Sequence, residues 1–402
     1  MNIAVTKKSE RRRAEIISAA TLHFNRSGLS GATLGEIAAS VGMVTNGVAY
    51  YYRRKEDLAA ACMVQSIGEL IRAIEPAMMK SDPVERLNDL LHGWFARLAA
   101  GATGAATPII VFNDIRALPQ PQSDSVFPEY YRLFRSLRNV FSGTGVGENA
   151  VARNARTHLL LSILHAAQEW FVAECEPRDH ALVAARLSRI LTEGLGGEPP
   201  REGVTLPDPD PEADPMRNAY LRAATRLINQ HGYRGASVER IAGELNLTKG
   251  SFYHHMDAKD DLVTACFERT FSVLRRGQDL GFAAEGNGAA RLALTVGALL
   301  DWQLSDAGPM LRISAYNSLP DTIRPTIRQA GNRLIERFAW QIGDAQADGS
   351  MPVSDALIGA RVLHSMLNAA IELDWWVPEG NHTEALRHYT LALFRGLFTP
   401  LP

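Results

Sequence analysis

Apolar positions along the chain recur with helical spacing and show no sustained strand-like alternation. Ile17, Ala20 and Phe24 fall at i, i+3 and i+7 on one helix face, and Leu221, Ala224 and Ile228 repeat that face further along. Gly28 and Gly232 stand where left-handed caps would stop these helices. A short amphipathic segment follows each: Leu34, Ile37, Ala38 and Val41 in one, Val238, Ile241, Ala242 and Leu245 in the other. Thr33 and Glu36 have the spacing of a capping box, whereas Ser237 keeps the cap but is followed by Arg240. A second short helix is expected to begin at Thr45 or Thr248, each read as a cap. A charged turn then leads to a long helix from about Lys55 or Lys259. The pattern predicts an all-α protein.

These parallels reflect an internal repeat. Sliding the chain by 204 positions lays residues 19–62 on 223–266, with fourteen of 44 positions identical, among them Asn25, Gly28, Ile37, Ala38, Lys55, Leu58 and Cys62. The echo returns later, where SILHAAQEWFV (162–172) resembles SMLNAAIELDWWV (365–377). Between the copies, residues 196–215 hold six prolines and six acids, a composition expected to form a solvated, semi-extended tether whose charge could also keep DNA away.

At 402 residues, one core is too few. With 46% hydrophobic and 21% charged residues, the composition excludes wholesale disorder and collagen-like repeats. The beginning, MNIAVTKKSERRRAE, lacks the apolar core of a signal peptide. No run of eighteen apolar residues exists, so no membrane contact is expected. Cys62, Cys175 and Cys266 cannot all pair within one chain, which fits a reducing, cytoplasmic setting. Net charge is −2, but its distribution matters more. Residues 1–60 carry nine bases and five acids (+4), residues 215–262 seven and five (+2), and residues 196–215 one and six (−5).

A long helix followed by two short helices and a tight turn is a helix-turn-helix head. The segment IAGELNLTKGSFYHHMDAKDDL (241–262) closely resembles the DNA-binding signature of the tetracycline-repressor (TetR) family, and IAASVGMVTNGVAYYYRRKEDL (37–58) is similar with departures. Ungapped, Ala49 falls opposite Tyr253 and Asn46 opposite Gly250. Moving one residue between the turns instead matches Thr45, Gly47 and Tyr50 to Thr248, Gly250 and Tyr253, and this shifted register is the preferred reading. The resemblance implies two tandem TetR-like units. Heads at 9–61 and 215–262 would precede helical ligand and dimerisation bodies at 62–195 and 263–402, joined by a linker at 196–214. Most such proteins are homodimers of a chain about half this long, so this one resembles a covalent pseudo-dimer, either monomeric or a dimer of pseudo-dimers.

The resemblance implies double-stranded operator DNA and an unknown small-molecule effector as partners. Lys7, Lys8, Arg11, Arg12 and Arg13 are expected to precede the first helix as a flexible basic arm, or to serve only as a solubilising tail. The candidate DNA-binding residues are Thr33, Thr45, Asn46, Val48, Tyr50, Tyr51, Tyr52 and Lys55 in the first head. In the second they are Ser237, Thr248, Lys249, Ser251, Tyr253, His254 and Lys259. Asn46 suits an adenine edge and Lys249 a guanine edge. Lys55 and Lys259 could hold phosphates or pair with the acids beside them. Trp94, Phe112, Trp170, Trp302, Trp340 and Trp375 are weak candidates for an effector pocket or plain core. Cys62 and Cys266 read as buried packing before thiol sensing. No metal-ligand spacing, phosphate loop or nucleophile elbow occurs, so no catalysis, metal or cofactor is expected. The expected function is a ligand-responsive repressor reading an asymmetric or imperfectly palindromic operator. The alternative is a ligand- or protein-binding helical scaffold whose first head has decayed.

Overall fold

The computed structural model describes residues 7–200, 203–206, 214–250, 259–319, 322–377 and 381–401, and among them every regular element is a helix. The chain forms two compact units, Met1–Asn139 with Ala167–Ala184, and Val140–Ala166 with Ala185–Pro402. These units do not follow the expected division at residue 195.

The first unit begins with α1 (Lys7–Gly31), α2 (Leu34–Ser40), α3 (Thr45–Tyr51) and α4 (Lys55–Ile74). It continues through α5 (Pro83–Ala102) and α6 (Gln122–Arg138). The expected core face of α1 is buried: Ile17, Ala20 and Phe24 are all below one-tenth exposed. The Cys62 thiol in α4 meets the Ile17 carbonyl, and burial pushes the thiol up to about 12, which suits packing and not reactivity. Asn25, near the end of α1, grips an extended strand of chain: its Nδ2 donates to Ile109 O at 2.8 Å and its Oδ1 accepts from Val111 N at 2.8 Å.

The second unit holds α9 (Pro215–Gly235), α10 (Val238–Glu244), α11 (Lys259–Ala283), α12 (Gly288–Leu304), α13 (Arg324–Ala347), α14 (Ala356–Ala369) and α15 (His382–Arg395). Its head repeats several of the first head's bonds. The Cys266 thiol meets Leu221 O, and Asn229 donates to Met310 O at 2.8 Å and accepts from Arg312 N at 3.1 Å. An apolar stretch at Ala356–Leu373 is long enough to cross a membrane, but 67% of it is buried inside the protein. Two helices, α7 (Ala150–Glu174) and α8 (His180–Glu193), contribute to both units.

Within the second unit, segments 140–166 and 185–195 join α14 and α15 along one seam, which explains the departure from the expected boundary. The backbone bonds there are reciprocal: Leu195 N donates to Leu393 O at 2.8 Å, and Leu397 N to Leu191 O at 2.7 Å. Leu195 and Leu397 are 202 residues apart, as are Leu191 and Leu393, each pair leucine with leucine, so the pairing has the i-to-j, j-to-i form of a two-fold contact. Glycine is required at both crossing points. Gly194 (φ +75°) and Gly396 (φ +90°) lie in the left-handed region, and a Cβ on Gly396 would stand 1.9 Å from Thr192 O. The seam is aliphatic, with Leu159, Ile163, Val362 and Met366 beside Leu191 and Leu393, and its void of about 10 Å³ has room for about one water.

Two expectations are corrected. Gly28 and Gly232 do break their helices at positive φ (66° and 69°), but with ψ near 173° and 171° they adopt the mirror-extended conformation open to glycine, not a left-handed cap. The early linker is not a solvated tether either. Gly196 N donates to Phe394 O, Gly203 and Val204 N to the Asp301 carboxylate, and Leu206 is buried. Docking satisfies backbone donors that the prolines leave scarce. Residues 207–213 lie outside the described residues.

Candidate nucleic-acid interface

Each head places a short helix after a tight turn. In the first, Thr33 Oγ1 accepts from Glu36 N at 3.2 Å and Thr33 N donates to the Glu36 carboxylate at 3.0 Å, the expected capping box. In the second, Ser237 Oγ accepts from Arg240 N and the Arg240 guanidinium donates to Gly235 O. Thr33 and Ser237 are thus occupied at the ends of α2 and α10.

The turns decide the register. Met43 N donates to Ala38 O and Leu247 N to Ala242 O, both at 2.8 Å. Gly42 (φ +64°) and Asn246 (φ +56°) take the same left-handed turn position. Both pairs are 204 residues apart, and helix begins at Thr45 in one head and at Lys249 in the other. The ungapped alignment is therefore the structural one, and the preferred shifted register is corrected. Val44 is the N-cap of α3, without a side-chain bond, and Thr45 is its first helical residue. Thr45 stands opposite Lys249, Asn46 opposite Gly250 and Val44 opposite Thr248.

The exposed surface of α3 consists of Val44 (75% exposed), Thr45, Asn46 and Tyr50 (76% exposed). Val48 is corrected as a groove residue: it has no exposure, because the head closes its small core on that side of α3. Tyr51 and Tyr52 are half-buried, with the Arg13 guanidinium 6.0 Å from the centre of the Tyr51 ring. The Lys55 ammonium donates to Ala32 O at 2.8 Å and ties α4 to the end of α1.

The basic residues at the start are not a flexible arm. Lys7, Lys8, Arg11, Arg12 and Arg13 occupy the first two turns of α1, where Arg11 and Arg12 both reach Glu15. Residues spaced three and four apart on a helix meet, and these pairs help extend α1.

In the second head, the Lys249 ammonium bonds the Glu239 carboxylate across from α10. That lysine holds the Glu239 carboxyl down at about 2. Glu239 was not anticipated from the sequence. The signal available was the repeat itself, in which the Glu239 and Lys249 pair is replaced by Gly35 and Thr45. Ser251, Tyr253 and His254 lie outside the described residues, as does the side chain of Lys259.

The six aromatic pocket candidates divide between the two units. Trp94, Phe112 and Trp170 belong to the first unit, and Trp302, Trp340 and Trp375 to the second. Trp94 and Trp302 are buried core, whereas Trp340 (58%) and Trp375 (46%) are exposed on helical surfaces. Among the described residues no cluster of His, Cys, Asp and Glu is placed to hold a metal.

The family model for bacterial regulatory proteins of the tetR family matches residues 221–266, the second head. The chain is 37% identical over 56 residues to the transposon Tn10 TetC protein of Escherichia coli, covering 14% of this chain and 28% of that protein. It is 28% identical over 75 residues to a biofilm-operon negative transcriptional regulator of Staphylococcus epidermidis, covering 18% of this chain and 40% of that one. The chain therefore spans less than half the length of these relatives. A TetR family regulator of Thermus thermophilus overlays with a TM-score of 0.34 at 17% identity, covering 44% of this chain and 95% of that one. Over residues 221–266, the second head is therefore similar to the DNA-binding head of the tetR family of bacterial regulatory proteins.

Proposed function

We propose that the chain is a transcriptional regulator built by tandem duplication, a covalent pseudo-dimer with heads at 9–61 and 215–262 that binds one asymmetric or imperfectly palindromic operator. The observation that carries this reading is the recurrence of bonds that build the family-matched head: the turn bonds from Met43 and Leu247, 204 residues apart at both ends, and the grips of Asn25 and Asn229 on chain 201 residues apart. The reciprocal bonds along the seam favour one chain supplying both halves of what is otherwise a dimer.

Two identical recognition helices read a palindrome, because operator symmetry mirrors protein symmetry. Here one head offers Val44, Thr45, Asn46 and Tyr50 where the other offers Thr248 and Lys249, so the half-sites differ in sequence. Repression follows the role of the Staphylococcus epidermidis relative. Release by a small ligand requires a conformation that the ligand binds more tightly than the DNA-bound one, and the shift equals that difference in affinity. The seam in its described state has no room for such a ligand.

Selection of bound sequences from a random DNA pool tests the reading. Two unlike half-sites are expected, with Lys249→Ala relaxing one of them and Asn46→Ala the other, each at a cost of about 1–3 kcal/mol. A perfect palindrome weakened alike in both halves would show that two chains bind through one kind of head. Absence of salt-dependent binding to any DNA would favour the scaffold reading. Light scattering should give a monomer near 44.0 kDa or a multiple built from such pseudo-dimers.

A further inference from the structure

We propose that Glu239 is a specificity-determining positioning residue of the second head, tethering Lys249 so that its charge is not spent on arbitrary phosphates. The inference rests on the reading of this head as a DNA-binding surface and goes on to say which residue sets its selectivity.

Four observations converge. The Lys249 ammonium, at the first helical position after the turn, bonds the Glu239 carboxylate from α10. Both side chains are more than half exposed, so the pair sits on the outer surface of the head and not in its core. The carboxyl is held down at about 2, chiefly by Lys249, so the pair is fully charged at neutral pH. The first head has neither member: Gly35 and Thr45 stand at the matching positions. The head fold therefore does not need this pair to form.

A free lysine is a compact point charge on a flexible stem and reaches whatever phosphate is nearest. Each phosphate neutralised adds about 0.9 to the salt dependence of binding to duplex DNA, whatever its sequence. A tethered ammonium has lost that freedom. One of its donors is committed to Glu239, and the others keep a narrower range of directions. The carboxylate beside it also repels any backbone that approaches off register. An exposed pair is weak enough for a well-placed base edge to compete with it. The tether therefore penalises non-specific docking more than specific docking, which is how selectivity is gained without added affinity.

The test compares wild type, Glu239→Gln and Glu244→Gln on two probes: the best duplex from the random-pool selection, and a scrambled duplex of equal length. Glu244 lies at the far end of the same helix, so its substitution changes net charge equally. Glu239→Gln is expected to raise affinity for the scrambled duplex by about two- to fivefold, the range of an exposed ion pair. It should steepen the salt dependence on that duplex by about one phosphate contact. The ratio of selected to scrambled affinity should fall, and Glu244→Gln should show none of these effects to the same degree. Equal behaviour of the two variants, or an unchanged ratio in Glu239→Gln, overturns the inference while leaving DNA binding intact. A wild-type protein that binds neither probe overturns both this inference and the functional reading beneath it.

Discussion

Replacing Arg156 tests how the seam is held. Its side chain has no exposure, and its Nη1 donates to the Leu397 carbonyl at 2.6 Å, just beyond the end of α15. Nε and Nη2 meet no acceptor among the described residues. Burial pushes the guanidinium down to about 10, a cost of roughly 3 kcal/mol at 1.36 kcal/mol per pKa unit. Against this stand one short hydrogen bond from a charged donor, about 1.5–3 kcal/mol, a long and weak one from the same Nη1 to Gly396 O at 3.5 Å, and a cation at a helix C-terminus, up to about 2 kcal/mol. The charge thus contributes close to nothing net, while the stem fills space. Arg156→Met, which keeps most of the stem and drops the charge, should leave stability within about 1 kcal/mol of wild type. Arg156→Ala should lose about 2–5 kcal/mol through the cavity. Urea unfolding followed by circular dichroism and tryptophan fluorescence reads both, with coincident transitions required before midpoints are converted to free energies. If Arg156→Met loses as much as Arg156→Ala, the guanidinium is strongly stabilising and the reasoning fails.

Three further outcomes are expected. Val48→Ala should destabilise the first head by about 1–3 kcal/mol, because Val48 is core; the sequence preference of the folded protein should be unchanged, and an altered preference in a pool selection would put Val48 back in the groove. Substituting Lys7, Lys8, Arg11, Arg12 and Arg13 by Gln should lower affinity for all duplexes and flatten the salt dependence, whereas unchanged affinity and slope would leave these turns of α1 with a purely structural role. His364 is buried, and desolvation holds it down at about 4. The unfolded chain then binds a proton that the folded one refuses between about pH 6.5 and 4, so stability present above that window is lost as pH falls through it. His364→Gln should make acid unfolding less steep, and an identical pH profile would refute the assignment.

Local order was legible in the sequence wherever it depends on neighbours within a turn or two. The helical faces of Ile17, Ala20 and Phe24, the Thr33–Glu36 capping box, the Ser237 cap and the stops at Gly28 and Gly232 all follow from short-range sterics and hydrogen bonding. The 204-residue repeat was legible too, because matched cores require matched residues at matched places.

Tertiary structure decided what depends on partners far along the chain. Val48 and Tyr50 are two residues apart on one short helix, yet one is fully buried and the other 76% exposed, because packing against the rest of the head assigns the faces. The register of the first head turned on the backbone bond from Met43 to Ala38, which no side-chain pattern reveals. Lys55 and Lys249 look equally free in the sequence, but one is spent on a backbone carbonyl and the other on a carboxylate ten residues earlier. The compact units cross the repeat boundary because segments 140–166 and 185–195 bury their apolar faces against helices more than 150 residues further on, at glycines that alone permit so close an approach. Periodicity shows that a face must be covered, and only the folded chain shows what covers it.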